Sequence, residues 1–310
     1  MARPEETLED HYVDAFERNL GMQPQQRMSR LVSRVDSDEN FTKTGDRFNA
    51  DDLGTSDPED IEERIPNTPD GFVERKRRVG FLTPYHDAKW LDDVDEAKSL
   101  SDASSGVMQA MQAGHERKKD KEIVRAALAS AREGRTGEDT IAFDTTNRRI
   151  AVDSHDYYSL SMTTAPTGDA GLTLSKLIEG KTKLDAAEVD DDMGEATWVC
   201  SADDIGQLLR DPHLTSSDFA VVRALQAGEI NSFMGFTFVR YNALPVTAGV
   251  RSNIAFRKKA LVYKRRQLTT ARIGQRADKS YNWQAYYKGI HGAARRYDEG
   301  VLEVLCKVTT

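Results

Sequence analysis

Apolar side chains in the first part of the chain repeat with the period of a helix. A stripe with four-residue spacing predicts a helix over residues 5–22. The longest helical signal covers residues 102–133, with Asp102 as its N-cap and Gly134 as its C-cap. The centre of this second segment, HERKKDKE, is charged, so we expect the helix to lie across a surface rather than inside a core.

Between these two segments the apolar pattern is lost. Residues 37–71 are polar, acidic and interrupted by prolines, with too few apolar residues for a core. A segment of this length and composition is either disordered or an excursion that a partner orders. The basic run at residues 75–78 follows, and residues 79–82 predict a strand. The two charged segments form either a solvated ribbon or a loop whose charges meet those of another subunit.

The second half of the chain alternates between helical and strand patterns. TWVCS, at residues 197–201, is typical of a short buried strand. From residue 253 to the end, short apolar segments predict several antiparallel strands. Helical spacing occurs in three segments, which are residues 172–190, 202–209 and 215–227.

The composition is that of an acidic protein with much charged surface. Among 310 residues, 43 are basic and 51 are acidic, which gives a net charge of -8. Proteins that bind nucleic acid without regard to sequence are normally basic, so this balance argues against that class. It suits a protein that lies near DNA without adhering to it. Cys200 and Cys306 predict reduced thiols rather than a disulfide framework, and no apolar run is long enough to predict a membrane span.

Patterns that carry chemistry are weak throughout the sequence. Residues 175–182, SKLIEGKT, approach the phosphate-binding loop G-x-x-x-x-G-K-S/T, but Ser175 replaces the first glycine and the segment has helical spacing. The acidic residues 188–195 lack calcium-loop spacing, and the histidines are scattered. The basic stretch 257–266 either touches nucleic acid or forms a strand with one charged face, which its alternation favours. The sequence therefore predicts no catalytic residue, no metal and no cofactor.

A series of motifs follows in fixed order from the TWVCS strand. They are a helix ending in Leu208-Leu209, a Thr-Ser-Ser-Asp helix start at 215–218, a Gly-Glu-Ile turn at 228–230, and an aromatic strand with Phe233, Gly235, Phe236 and Phe238. QQRMSRLVSRV at 25–35 and RRVGFLTPYHDAKWL at 77–91 precede them. Over nearly the whole chain, this series resembles the major capsid proteins of tailed bacteriophages.

The resemblance implies an α+β chain with the Hong Kong 97-type (HK97-like) capsid fold. Its expected parts are an N-terminal arm, an extended β-hairpin loop, a peripheral domain with a long spine helix, and an axial domain. In the axial domain the aromatic motif would be a strand in which Gly235 permits a bend or bulge. The expected ranges are 1–40 for the arm, 41–98 for the extended loop and the lead-in to the spine helix, 99–165 for the peripheral domain with spine helix 102–133, 166–249 for the axial domain, and 250–310 for C-terminal strands of the peripheral domain.

The extended loop is the expected site of contact between subunits. A loop without a core finds its burial on a neighbour, and the entropy of ordering it is lost only at assembly. Several weak contacts per subunit then stabilise a shell while the monomer stays soluble. The candidate residues are Asp51, Asp52, Glu62, Glu63, Arg75, Lys76, Arg77 and Arg78.

The resemblance also implies partners and a location. The chain would assemble with itself as hexamers and pentamers into the icosahedral head shell enclosing double-stranded DNA, without sequence-specific DNA contacts. A separate scaffolding protein, a portal and, as an optional component, a decoration protein would join it, with no membrane involved. Assembly would take place in the host cytoplasm and the product would be the virion. Two alternatives stay open: an encapsulin-like or other virion shell protein, and a nucleotide-binding enzyme acting through residues 175–182.

Overall fold

The computed structural model describes most of the chain. It covers residues 24–41, 45–54, 71–91, 103–154, 168–187, 190–210 and 232–308, with isolated positions between 56 and 64. The helices predicted at 5–22 and 215–227, and the candidate contact residues Glu62 and Glu63, lie outside the described residues.

The described residues form the following helices and strands. The helices are α1 Ala103–Leu128, α2 Leu174–Asp185, α3 Asp190–Met193 and α4 Ala202–Arg210. The strands are β1 Asp36–Phe41, β2 Arg47–Leu53, β3 Arg75–Phe81, β4 Thr83–Leu91, β5 Ala131–Glu133, β6 Asp139–Ile141, β7 Arg149–Ile150, β8 Ala196–Cys200, β9 Ser232–Phe233, β10 Phe236–Arg240, β11 Val246–Thr247, β12 Val250–Arg257, β13 Leu261–Gln275, β14 Trp283–Arg295 and β15 Val301–Lys307.

These strands build three sheets. The long sheet has the order β1-β13-β14-β4, with β1 parallel to β13 and the other pairs antiparallel. The seven-stranded sheet has the order β7-β15-β12-β8-β10-β9, with β11 paired to β12. The hairpin sheet has the order β2-β3-β5-β6. The buried strand predicted from TWVCS is confirmed as β8, and the predicted C-terminal antiparallel strands are confirmed as β12 to β15.

The predicted domain boundary at residue 249 does not separate two sheets. β12 begins at Val250 and pairs with β8, where Ile254 lies opposite Val199. β15 joins the same sheet, whereas β13 and β14 belong to the long sheet. The C-terminal region therefore contributes to both sheets, because its four strands pair across the expected division. The other ranges of the domain division stay predictions.

The aromatic segment is a hairpin rather than a single strand. Met234 and Gly235 both have positive φ, 52° and 81°, and Phe233 lies opposite Phe236. A two-residue turn with positive φ at both central positions matches the twist of antiparallel strands, and glycine adopts it without strain. The prediction that Gly235 permits a bend or bulge was wrong, because this glycine completes the turn between β9 and β10.

The long helix is shorter than its sequence pattern predicts. α1 ends at Leu128, five residues before the predicted end, and residues 131–133 form β5. β5 pairs with β3, and the Gly134 N–H donates to the carbonyl oxygen of Arg77 at 3.2 Å instead of capping a helix. Ala131 is buried in this pairing, so a tertiary contact overrides helix propensity here. The predicted N-cap Asp102 lies outside the described residues.

Two strands form where residues 37–71 were predicted to have too few apolar residues for a core. They are β1, which begins at Asp36, and β2. Phe41 and Phe48 are buried in one cluster with Leu82 and Val262. Two aromatic side chains suffice because the long sheet already supplies the rest of the apolar surface.

The basic stretch from Arg257 ends one strand and begins another. Leu261, Val262 and Tyr263 are buried at the start of β13. Lys264 pairs with Asp38 at 3.4 Å, and the Arg265 guanidinium lies 3.6 Å from Glu39. The favoured interpretation, a strand with one charged face, was wrong, because the stretch spans the end of β12, a short turn and the start of β13, and the consecutive residues Lys264 and Arg265 lie on opposite faces of β13.

A cluster of histidine and tyrosine rings lies between α1 and the long sheet. The His115 ring stacks on Tyr287 with centroids 3.8 Å apart, and His291 lies 4.4 Å from Tyr85. Burial lowers the pKa of His115 and lowers that of His291 to about 4. Both imidazoles are therefore neutral packing groups at neutral pH.

Candidate assembly site

The charged centre of α1 is covered by the segment that precedes β1. Asp120 is fully buried, and its carboxylate accepts hydrogen bonds from Gln26 Nε2 and Ser29 Oγ, both at 2.5 Å. It also accepts from the backbone N–H groups of Arg30 and Leu31, each at 3.1 Å. The expectation that this helix lies across a surface is met at Lys118 and Lys121, which stay exposed, whereas residues 25–31 cover Asp120.

Other side chains of α1 extend this contact. Arg117 donates to Gln25 Oε1 at 2.6 Å, and Glu116 accepts from the backbone N–H of Ser29 at 3.2 Å. Lys119 pairs with Glu39 at 3.1 Å. The glutamine pair and Ser-Arg-Leu of the N-terminal motif thus attach the arm to the long helix. Sequence reasoning missed Asp120, because one aspartate among lysines carries no distinguishing signal.

Charged residues along the β2–β3 hairpin pair within the chain. Asp51 binds Arg77 through two bonds of 2.5 and 2.9 Å. Asp52 accepts from Arg296 Nη2 at 2.5 Å and from the Tyr297 hydroxyl at 2.7 Å. Burial raises the pKa of Asp52, but the bonds from Arg296 and Tyr297 outweigh it, so the pKa lies below its ordinary value. Asp52 therefore stays ionised and holds the hairpin to the end of β14.

Arg78 makes a second link of the same kind. Its Nη2 lies 2.6 Å from Asp298 Oδ2, and its Nη1 lies 3.7 Å from Glu133. Its side chain is only 11% exposed. The candidates Asp51, Asp52, Arg77 and Arg78 thus all have partners in their own chain, and these pairs hold the hairpin to the subunit as far as Asp52.

The outer end of the hairpin presents a different surface. Leu53 is 70% exposed and Phe72 is fully exposed. Arg75 is exposed, and the Lys76 ammonium lies 3.8 Å from the carboxylate of Glu74, which precedes the strand. Sequence reasoning missed the apolar pair, although Phe72 is the single aromatic residue between Phe48 and Phe81. Apolar and basic side chains are thus available together at this end.

Two open clefts flank the hairpin. One has a volume of about 720 Å³ and is lined by residues that include Asp51, Arg75 and Glu133. The other, of about 700 Å³, lies on the side of Arg296 and Asp192. Both clefts mix acidic and basic groups.

The aromatic motif of the β9–β10 hairpin forms core rather than contact surface. Phe236 is fully buried and packs edge-on against Trp198, with centroids 5.1 Å apart. Phe233 and Phe238 are partly buried against the same cluster. The assignment of this motif to an axial domain stays a prediction.

The segment that approaches a phosphate-binding loop is a helix. α2 runs through it, with Thr173 as N-cap accepting from the Lys176 N–H at 3.5 Å. Lys181, at the position of the phosphate-binding lysine, pairs with Asp185 at 2.9 Å. Since the amides of residues inside a helix bond within it, they cannot surround phosphates. This geometry excludes the nucleotide-binding alternative at residues 175–182.

Gly180 allows α2 to approach the seven-stranded sheet closely. A Cβ at this position would lie 2.8 Å from Cζ3 of the fully buried Trp198. We expect Gly180→Ala to destabilise the fold by about 1–3 kcal/mol, despite the better helix propensity of alanine. The matched control is Gly114→Ala in α1, where the nearest atom is Arg117 Nη2 at 3.7 Å. The control is expected to stabilise by about 0.5–1 kcal/mol. Urea unfolding that shows both variants stabilised would contradict the tight contact.

Comparison with solved structures defines the class of this protein. The capsid protein of Ralstonia phage GP4 matches with a TM-score of 0.73 at 9% identity, covering 97% of this chain and 96% of that one. The capsid of cyanophage P-SCSP1u matches with a TM-score of 0.68 at 12% identity, over 97% and 95% of the two chains. Mycobacterium phage Che8 gives 0.68 at 15% identity, over 95% and 97%. The fold is therefore the Hong Kong 97-type fold of capsid shell subunits.

The sequence gives the family directly. A family model described as phage capsid protein matches residues 8–308, and the chain belongs to that family. No curated protein matches the sequence. Within the part of the chain that the structure describes, no helix is long and apolar enough to cross a membrane.

Proposed function

We propose that the chain is the major capsid protein of a tailed bacteriophage and assembles with copies of itself, as hexamers and pentamers, into an icosahedral head shell around double-stranded DNA. The observation that carries this proposal is the β2–β3 hairpin. The Asp52–Arg296 pair holds it to the rest of the subunit, whereas Leu53, the residue after Asp52, and Phe72 are exposed. A fixed element that ends in exposed apolar groups is suited to binding a neighbouring copy.

The energetics favour assembly by many weak contacts. Full burial of a Leu or Phe side chain stabilises by about 1.5–3 kcal/mol. One hairpin contact therefore gives a weak pairwise interaction, since an affinity of about 1 mM corresponds to roughly 4 kcal/mol. Each subunit of a closed shell would make several such contacts. The candidate residues nearest the free end, Arg75 and Lys76, would join Leu53 and Phe72 in this contact.

The remaining components follow from the same proposal. A scaffolding protein, a portal and an optional decoration protein would act with the shell, which would assemble in the host cytoplasm and persist in the virion. The role is structural rather than enzymatic. An encapsulin-like shell shares the expected geometry but would hold protein cargo instead of DNA.

Electron microscopy of the purified protein, alone and with a candidate scaffold, tests the proposal. We expect closed shells, and particles from infected cells should contain DNA. Small monodisperse particles under both conditions would contradict shell formation. Shells that hold a protein and no DNA would favour the encapsulin-like alternative.

A further inference from the structure

An open groove lies between the end of α1 and the segment that follows β10. It has a volume of about 490 Å³. Val124 and Leu128 line it from α1, and Ala243 and Pro245 line it from the other segment. Ala243 and Pro245 are exposed, and the adjoining Val246 is 51% exposed. The groove therefore presents apolar side chains that a further apolar segment could cover.

The N-terminal arm contacts both elements that line this groove. Gln25 Oε1 accepts a hydrogen bond from Arg117 Nη1 of α1 at 2.6 Å. Arg30 Nη1 donates to the carbonyl oxygen of Arg240, the last residue of β10. Arg117 and Val124 are seven positions apart, so they share one face of α1 and lie about 10 Å apart along it. The residues that precede Gln25 therefore start within reach of the groove.

The sequence of residues 5–20, which lie outside the described residues, suits this groove. Four apolar side chains repeat there with helical spacing, and they are Leu8, Tyr12, Phe16 and Leu20. The other positions carry six acidic residues against one arginine and one histidine. Only four residues separate Leu20 from Gln25, a span of at most about 18 Å. The apolar stripe can therefore reach the groove of its own chain.

Two cations at the groove complement the acidic residues of that segment. Lys121 and Arg125 both line the groove and are exposed. Arg125 also pairs with Glu122 at 2.5 Å. Exposed ion pairs contribute little to stability, so apolar burial would supply most of the binding. The cations would favour an acidic occupant over a basic one.

We propose that, in the single subunit, residues 5–20 bind in this groove of their own chain as an amphipathic helix. The apolar stripe would face Leu128 and Pro245, and acidic side chains would lie near Lys121. Asp120 already holds residues 26–31 on α1. A short tether of this kind gives the segment a local concentration of roughly millimolar at the groove, which favours its own chain over a second copy. The contact does not depend on shell formation.

Photo-crosslinking of the full-length protein at low concentration locates the segment. Replacement of Phe16 by p-benzoylphenylalanine puts a photoreactive aromatic group into the apolar stripe. After ultraviolet exposure and trypsin digestion, we expect crosslinks within one chain to the peptides 126–132 and 241–251, which contain groove residues. Crosslinks that join two chains would overturn the proposal and assign the groove to a second copy. Crosslinks only to other peptides would also overturn it.

Trypsin cleavage after Arg18 measures the same contact by its rate. A bound segment is cleaved only when it opens, so the rate follows the open fraction. Ala243→Glu places a carboxylate against the acidic segment, and we expect it to raise the cleavage rate by about 10-fold or more. The matched control is Ile273→Glu, because Ile273 is an apolar residue of β13 that is 45% exposed and does not line the groove. The control should be cleaved at the parent rate.

A change in the segment itself tests the contact without altering the groove. Phe16→Ser leaves every described residue in place and should accelerate cleavage after Arg18 to a similar extent. Cleavage after Arg27 should stay at the parent rate in both variants, because Asp120 holds that part of the arm independently. An unchanged rate of cleavage after Arg18 in either Ala243→Glu or Phe16→Ser would overturn the proposal.

Discussion

Replacement of residues 55–73 by Asn-Gly is expected to abolish shell formation and leave a folded subunit. The Gly54 N–H bonds the Glu74 carbonyl oxygen at 2.7 Å, so the remaining strands can close in a two-residue turn. The change spares the Asp51–Arg77 and Asp52–Arg296 pairs at the base. Phe72 is removed, and with it much of the apolar surface available to a neighbour. Thermal unfolding and electron microscopy measure the two outcomes.

A charge variant of the same segment separates the effect of the length of the loop from the effect of its charge. Changing Asp57, Glu59, Asp60, Glu62 and Glu63 to their amides keeps the length of the loop. Shells formed by this variant and not by the shortened one would show that the contact is mainly apolar. Complete shells from the shortened variant would contradict the assignment of the hairpin as the contact element.

Asp120→Ala is expected to lower the free energy of unfolding by about 3–5 kcal/mol. The carboxylate is fully buried, and its loss leaves the Ser29 hydroxyl and the N–H groups of Arg30 and Leu31 without their acceptor. If the arm opens locally instead of the whole fold, the same loss appears as rapid trypsin cleavage after Arg27 or Arg30.

Two further variants calibrate that result. Asp120→Asn keeps one acceptor oxygen and should lose roughly half as much stability. Lys121→Ala, at the exposed neighbouring position, should change stability by less than about 0.5 kcal/mol. An Asp120→Ala protein as stable and as resistant to trypsin as the parent would contradict the role of Asp120 in holding the arm.

Local pattern predicted the elements whose stability is local. The apolar spacing of α2 and the continuous apolar run of β8 were sufficient to place both. The end of α1 was missed because β5 forms by pairing with β3, more than 50 positions earlier in the chain. The spacing of residues 129–133 contains no trace of that partner.

The position of the candidate site along the chain was predictable from the sequence, but the contacts that its residues make were not. The charges of the extended loop were identified, but Asp52 finds Arg296 at a separation of 244 residues. Such a pairing depends on the fold of the long sheet, which no charge pattern reveals.

The direction in which the hairpin leaves the long sheet gives each subunit a polarity. Phe48 packs in the cluster that Ile290 of β14 contacts, whereas Asp52, four residues further along β2, pairs with Arg296 just after the end of β14. The hairpin therefore runs toward the C-terminal end of β14. The turn between β13 and β14 lies at the opposite end of the same strand. If the hairpin binds a different surface of its neighbour, as proposed, the contacts are head to tail, a heterologous arrangement that closes into a ring only when the rotation between neighbours fits. A hairpin that ion pairs hold to its own subunit, with exposed residues beyond Asp52, would let one interface accommodate the slightly different rotations between neighbours in five-membered and six-membered rings.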